Sequence, residues 1–278
     1  MYLKAKKRLG QHFLINESVV ERILSAAELD MADIVVEIGP GMGILTEELA
    51  GRTAKVIAVE LDIKLVNMLN RKLVSLPNVE IVHADILKIT PEELLKGKIG
   101  TPVSSGQTYK VVANLPYYIT SPILWHFLRA KLKPSLMVIM VQKEVGEAIA
   151  AMPGKMTQLS IGVQFYSKPT IITYVLAKDF RPSPKVDSVV LRLDVYSEPP
   201  VEVADVEGFF DVVHCGFSSR RKQLRNSLAH GLAISPDQVC QLLEGIGIDA
   251  TRRAETLSLE EWRKLSKAFA PFRTQSLC

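Results

Sequence analysis

The sequence predicts an α/β fold: a doubly wound, mostly parallel sheet followed by a small all-helical C-terminal domain. Three observations carry this expectation. Short β-branched runs alternate with helical segments through the first two thirds of the chain, and such alternation builds parallel sheets. The runs are apolar almost throughout, as strands covered on both faces are. Beyond about Val201 the strand pattern stops and only helical spacing remains.

Five runs read as strands buried on both faces: 33–39 (DIVVEIG), 55–61 (KVIAVEL), 79–85 (VEIVHAD), 110–114 (KVVAN) and 136–142 (LMVIMVQ). Between the first two, GILTEELAGR has helical apolar spacing with a Gly near its end. TPEELLKG offers Thr90 as N-cap, Pro91 at the first helical position and Glu93 to close a capping box. Residues 97–108 (GKIGTPVSSGQT) read as a loop. TIITYVLA and SVVLRLDVY predict two further strands, forming a hairpin-like sheet edge. SEPP at 197–200 is a natural linker. The boundary is therefore placed there, with a first domain at 1–198 that includes a basic N-terminal arm, and a second at 199–278. In the second, GFFDVVHCGF, RRKQLRNSLAHGL, SPDQVCQLLEGIG and SLEEWRKLSKAFA all read as helices, the last with Ser258 and Glu261 as a capping box.

The chain has 278 residues, 47% hydrophobic and 23% charged, enough for one large core and a smaller unit. Its longest apolar run, 136–141, is far short of a membrane span. No apolar segment follows the basic N-terminus, so no secretion signal is expected. Cys215, Cys240 and Cys278 lack CxxC spacing, which argues against a disulfide framework or a zinc site and for a reducing, cytoplasmic setting. Net charge is +4, yet KAKKR and SSRRKQLR together carry eight cations and no acid, leaving the remaining chain net negative. Concentrated positive charge on a mildly acidic body suits a polyanion, although short basic runs are also ordinary solvated surface.

VEIGPGMG places Gly39, Gly41 and Gly43 between the first strand and a helix. Glycines there let the backbone turn tightly and let a ligand approach, although dehydrogenases begin the same way. Glu60 ends the second strand about twenty residues on, where a carboxylate accepts both ribose hydroxyls. Asp85 ends the third, where it can accept a hydrogen bond from an adenine amino group. Strand ends of such a sheet face one crevice. A pyrophosphate prefers an unobstructed helix N-terminus. Here Glu37 precedes the glycines and Asp85 follows, a lining that suits a cation. S-adenosylmethionine, with its sulfonium and ammonium, fits better than a dinucleotide. The plainer readings make Glu60 a helix-capping acid and Asp85 a turn residue.

The fourth strand runs into NLPY on the rim of the same crevice. An adenine exocyclic amine is a poor nucleophile because its lone pair is delocalised into the ring. Two acceptors aimed at its two N–H bonds, the Asn114 side-chain oxygen and the Leu115 carbonyl, would pull it toward tetrahedral geometry. Pro116 fixes φ and holds the turn. Tyr117 offers a face on which the base can stack. No general base is needed, because the methylated amine becomes acidic once cationic. In isolation the tetrapeptide could equally be a strand-ending turn with a core tyrosine.

RLGQHFLIN, VEIGPGMGILTEEL, VIAVELD, HADIL, NLPYYITSPIL, MVQKEV, FRPSPKVDSVVLRL and GFSSRRKQLRNSL together span nearly the whole chain. In that order they resemble the ribosomal RNA adenine N6,N6-dimethyltransferases that act on small-subunit RNA. The resemblance implies a Rossmann-like methyltransferase sheet using S-adenosyl-L-methionine. It also implies that two adjacent adenosines near the 3′ end of 16S rRNA become N6,N6-dimethyladenosine during small-subunit maturation. The family's cofactor contacts fall on His12, Leu14, Gly39, Glu60, Asp85 and Asn114, with Gly41 in the same glycine run. His12 stands where the family usually has Asn. Phe180 matches the family's second stacking aromatic, which would clamp the target base opposite Tyr117. Arg220, Arg221, Lys222 and Arg225 form a basic helix expected to grip RNA backbone. The expected partner is 16S rRNA in the immature small subunit, met by a monomer in the cytoplasm, with no membrane and no metal. A large-subunit 23S rRNA adenine N6-methyltransferase of the macrolide-resistance type is the nearest competitor, and SSRRKQLRNSL in the helical C-terminal segment favours the small-subunit enzyme. An RNA-binding assembly factor without activity is a different class, disfavoured by intact Glu60, Asp85 and NLPY.

Overall fold

The computed structural model describes residues 11–96, 108–219 and 221–272. The chain divides into two units, residues 1–146 with 168–197, and residues 147–167 with 198–278. The KAKKR arm and nearly all of the 97–108 loop lie outside the described residues.

The first unit holds a seven-stranded sheet. Its strands in chain order are β2 (Ile34–Ile38), β3 (Lys55–Glu60), β4 (Val79–His83), β5 (Lys110–Asn114), β6 (Leu136–Gln142), β7 (Ser167–Val175) and β9 (Ser188–Val195). The spatial order is β4-β3-β2-β5-β6-β9-β7. The five strands from β4 to β6 are parallel, and β9 joins β6 antiparallel, from Leu136 opposite Asp194 to Gln142 opposite Ser188. β2 is buried at all five positions, Glu37 included. β4 differs from expectation: as the outer strand it is only partly covered, with Val82 its one buried residue. The hairpin-like edge is present as the neighbours β9 and β7. A separate two-residue ladder pairs β1 (Phe13–Leu14) with β8 (Phe180–Arg181).

Helices α2 (Ile44–Ala50), α3 (Ile63–Lys72), α4 (Pro91–Lys96) and α5 (Thr120–Leu128) connect the strands. The Thr90 box forms as the sequence indicated: Thr90 N donates to Glu93 Oε2 at 2.9 Å and Glu93 N to Thr90 Oγ1 at 3.2 Å. Helix α1 (Glu17–Ala27) was not foreseen, nor were the helices at 143–149 and 158–166. Asn16 caps α1 by accepting from Ser18 N at 3.0 Å. Val19, Val20, Ile23, Leu24 and Ala27 then bury one face in the cluster that holds Val35, Val112, Val138 and Val190 of the sheet. Burying each of the larger side chains stabilises by roughly 1.5–3 kcal/mol, which outweighs the cap's roughly 1 kcal/mol.

After α6 (Lys143–Ile149), the second unit contains α7 (Gln158–Tyr166), α8 (Val206–Phe217), α9 (Leu224–Leu232), α10 (Pro236–Gly245) and α11 (Leu259–Phe269). α8 packs on α7, α9 and α11 around fully buried Phe165, Phe209, Trp262 and Phe269. Two expectations are corrected here. Residues 147–167 group with the C-terminal helices rather than with the 1–198 domain, because Phe165 packs against Phe209 with ring centroids 4.9 Å apart. The basic run is also, among the described residues, only partly helical. Ser218 ends α8 and Gln223 is extended (φ −64°, ψ 151°), so Arg221 and Lys222 lie in the connection and only Arg225 is in α9.

Candidate active site

The strand order reverses between β2 and β5, and the crevice outside the strand ends at such a point is where open α/β sheets bind ligands. A pocket opens there, and its walls include Gly39, Gly41, Glu60, Asp85, Asn114 and Tyr117. The glycine run is shaped by its neighbours. Gly41 has φ +59°, and a Cβ on it would meet the Phe13 ring at 2.9 Å. Residues 11–14 therefore pass directly over this turn.

Glu60 is 6% exposed and accepts from the Asp62 amide at 2.8 Å. Burial raises its pKa, and the backbone N–H groups of Asp62, Gly41 and Leu61 oppose that rise. Asp62, not Glu60, caps α3, accepting from Lys64 N at 3.0 Å, so Glu60 faces the pocket without a capping duty. Asp85 does both jobs. Its Oδ1 caps the 3₁₀ turn Ile86–Lys88 through Leu87 N at 3.2 Å, and it also lines the pocket. Glu37, 2% exposed, lines the floor with its Oε2 unpartnered among the described residues. Burial raises its pKa to about 8, opposed by the Thr46 hydroxyl and helped by Glu60. A buried carboxyl oxygen without a partner is costly, about 1–3 kcal/mol, and a ligand group of positive charge in the pocket would satisfy it.

The NLPY turn forms the opposite rim. Asn114 Nδ2 donates to the His12 carbonyl at 3.2 Å, which leaves Oδ1 as the amide's acceptor toward the pocket. Leu115 N donates to Met140 O at 3.1 Å, and Ile119 N closes the following turn on Pro116 O at 3.2 Å. The turn is thus closed on Pro116 rather than on Leu115. Pro116 Cδ lies 3.9 Å from where a Gly39 Cβ would project, so the rim touches the glycine turn. The Tyr117 phenol is held by Ser188 Oγ at 2.6 Å and its pKa is raised, chiefly by burial.

Of the carried-over residues, His12 lines the pocket and Phe180 sits differently from expectation. The His12 imidazole turns to the Tyr117 ring (centroids 5.8 Å apart, 19° between planes), and its Nδ1 contacts Pro182 O at 2.7 Å. Phe180 does not reach the pocket. It is 2% exposed and packs in the sheet's core cluster, because the β1–β8 ladder sets it opposite Leu14. The expected clamp of Phe180 opposite Tyr117 is therefore absent from this arrangement. Leu14 is buried in the same cluster and forms part of the pocket wall. Ser188, which fixes Tyr117, was missed, as nothing local marks a residue 71 positions away. Of the basic set, Arg221 and Lys222 are exposed, Arg225 is partly buried and Arg220 lies outside the described residues.

A pocket lined by the acidic residues Glu37, Glu60 and Asp85 and by the Asn114 amide can hold a cationic nucleoside on one side and an amine on the other. A family model described as "Ribosomal RNA adenine dimethylase" matches residues 2–271. A Dehalococcoides mccartyi protein named "Ribosomal RNA small subunit methyltransferase A" is 48% identical over 268 residues, covering 96% of this chain and 89% of that protein. A Moorella thermoacetica protein of the same name is 43% identical over 267 residues, covering 95% and 92%. Among solved structures, the 23S rRNA methyltransferase ErmE is similar with TM-score 0.73 and 28% identity, covering 93% of this chain and 99% of that one. A Plasmodium falciparum dimethyladenosine transferase shares the fold with TM-score 0.78 and 24% identity, over 94% and 98%.

Proposed function

This chain belongs to the ribosomal RNA adenine dimethylase family, and from that premise we propose which adenosines it modifies and how its own residues do so. It is an S-adenosylmethionine-dependent rRNA adenine dimethyltransferase acting on small-subunit 16S rRNA. The large-subunit alternative is not favoured: the relatives at 43–48% identity carry the small-subunit name, whereas the 23S enzyme stands at 28%. The targets are two adjacent adenosines in the 3′-terminal hairpin, met in the immature subunit by a monomer in the cytoplasm. Among the described residues no helix is long and apolar enough to cross a membrane.

When bound, S-adenosylmethionine supplies a methyl group made electrophilic by its sulfonium. The residues present suit such a ligand, since Glu37 offers an unpartnered buried oxygen to a cation. Glu60 accepts the ribose hydroxyls and Asp85 the adenine amino group, while Gly39 and Gly41 admit the ligand against bare backbone. Across the pocket, Asn114 Oδ1 and the Leu115 carbonyl accept the two N–H bonds of the target amine and localise its lone pair. Tyr117 stacks the extruded base. Its neutral phenol, tied to Ser188, keeps the ring at a fixed angle. Restacking is worth about 1–3 kcal/mol per base, which offsets much of the few kcal/mol of unstacking. Alignment of the reacting pair supplies roughly 7–11 kcal/mol.

The observation that carries this reading is the Asn114 amide, its donor end held by the His12 carbonyl, standing on the same pocket as Glu60 and Asp85. The test is transfer of labelled methyl to immature small-subunit particles, large-subunit precursors and naked RNA. Label should enter the small-subunit RNA. Label in the large-subunit RNA alone, or in none, contradicts the assignment.

A further inference from the structure

Residues 176–188 connect the outer strands of the first unit and meet the NLPY rim directly at Tyr117 and, through the His12 ring stacked on Tyr117, at a second point. Pro182 O contacts the His12 imidazole at 2.7 Å, and Ser188 Oγ holds the Tyr117 hydroxyl at 2.6 Å. The two acids of this segment face inward. Asp179 accepts from Leu176 N at 3.1 Å and from Asn16 Nδ2 at 3.0 Å. Asp187 accepts from Ala177 N at 2.9 Å. The backbone is pinned as well: Ile15 N donates to Asp179 O and Lys143 N to Asp187 O, and Phe180 is anchored in the core.

The three cations do the opposite. Lys178, Arg181 and Lys185 are exposed, and none forms an ion pair among the described residues. Exposed Leu176 and Val186 flank them in the chain, and half-exposed Tyr174 carries the Lys143 ammonium 5.5 Å above its ring. A fixed backbone that turns its acids in and its cations out presents a preformed positive strip.

We infer that residues 176–188 form a second RNA-binding surface, on which Lys178, Arg181 and Lys185 hold the phosphates flanking the target adenosine. This rests on the proposed reaction, because a base seated on Tyr117 remains tethered to its own backbone, which must cross the adjacent rim. The strip acts by charge, so it serves RNA of any sequence and positions the strand for extrusion. It is separate from Arg221 and Lys222, which belong to the other unit.

The test compares wild type with a K178A/R181A/K185A variant of the full chain. Binding is measured on a naked hairpin carrying adjacent adenosines, across a salt series, and methyl transfer on immature small-subunit particles. Each lost phosphate contact lowers the log–log salt slope by about 0.7–0.9. The variant should therefore lose about 2 from that slope and raise the KM for RNA about tenfold, with cofactor Kd and kcat at saturating RNA unchanged. A charge-keeping K178R/R181K/K185R variant should restore both. An unchanged slope and KM overturns the inference. So does a loss seen only on particles with hairpin binding intact, which assigns the cations to a protein partner. Failure of the reaction itself would show separately, as no methyl transfer by wild type.

Discussion

Glu37 shows how much of this site is set by a single environment. Its folded-state pKa is raised to about 8, well above the ordinary carboxylate range, mainly by burial. The folded protein then keeps a proton that the unfolded chain has released, so stability falls as pH rises from about 4.5 to about 8. Glu37→Gln should remove that slope, raising the Tm of the ligand-free protein by a few degrees at pH 8.5 relative to wild type and by little at pH 5. Equal slopes would place the carboxylate in a wetter setting than this one. Tyr117 gives a second residue-scale expectation. After one transfer the amine keeps a single N–H, so only one acceptor can hold it and stacking carries more of the second step. Tyr117→Ala should therefore raise the ratio of mono- to dimethyladenosine in digested RNA. A lower overall rate at unchanged ratio would count against that role. Glu60, Asp85 and Asn114 were legible in the sequence because a parallel sheet gathers its strand ends at one crevice. Phe180 was not: a motif match says nothing of which side of a two-residue ladder a ring occupies, and here it is the core side.

Elements form where local signals and burial agree, and their contacts are decided by residues that carry no local signal. The Thr90 and Ser258 boxes close as read, the latter with Ser258 N donating to Glu261 Oε2 at 2.8 Å and Glu261 N to Ser258 Oγ at 3.2 Å. The parallel strand runs also lie where the apolar pattern put them. The reason for glycine inside α8 was invisible, since it lies in α11: a Cβ on Gly216 would stand 2.3 Å from the Trp262 ring. Gly216→Ala should destabilise by roughly 1–3 kcal/mol through overpacking, seen as a lower urea midpoint. Gly245→Ala, with nothing within 4 Å of the added Cβ, should be neutral or slightly stabilising. If both are neutral, α8 and α11 do not cross this closely. Of the described basic residues, Arg221 and Lys222 fall outside a helix for a different reason. RRKQLRNSLAHGL reads as one helix, while the extended Gln223 starts α9 only at Leu224.

On the scale of the whole molecule, the two units part at residues 197–198, and composition could not reveal that residues 147–167 group with the second. A chain cut at residue 198 leaves Phe165 without Phe209 and Phe210, its ring partners at 4.9 and 5.3 Å. That fragment should bind an apolar dye and aggregate, whereas full-length protein should do neither; a soluble, cooperatively melting fragment would show that 147–167 needs no C-terminal partner. Charge is also organised at this scale, with Arg221 and Lys222 exposed between α8 and α9. Replacing both with Ala should weaken binding of any RNA and lower the salt slope by about 1–2. The most direct test of the account is nucleoside mapping of ribosomal RNA from cells lacking this protein, then supplied with wild type or with Asn114→Ala. The account predicts two adjacent N6,N6-dimethyladenosines near the 3′ end of the small-subunit RNA, lost in the deletion, restored by wild type and not by the variant. Full restoration by Asn114→Ala, or modification mapped to the large-subunit RNA, would contradict it.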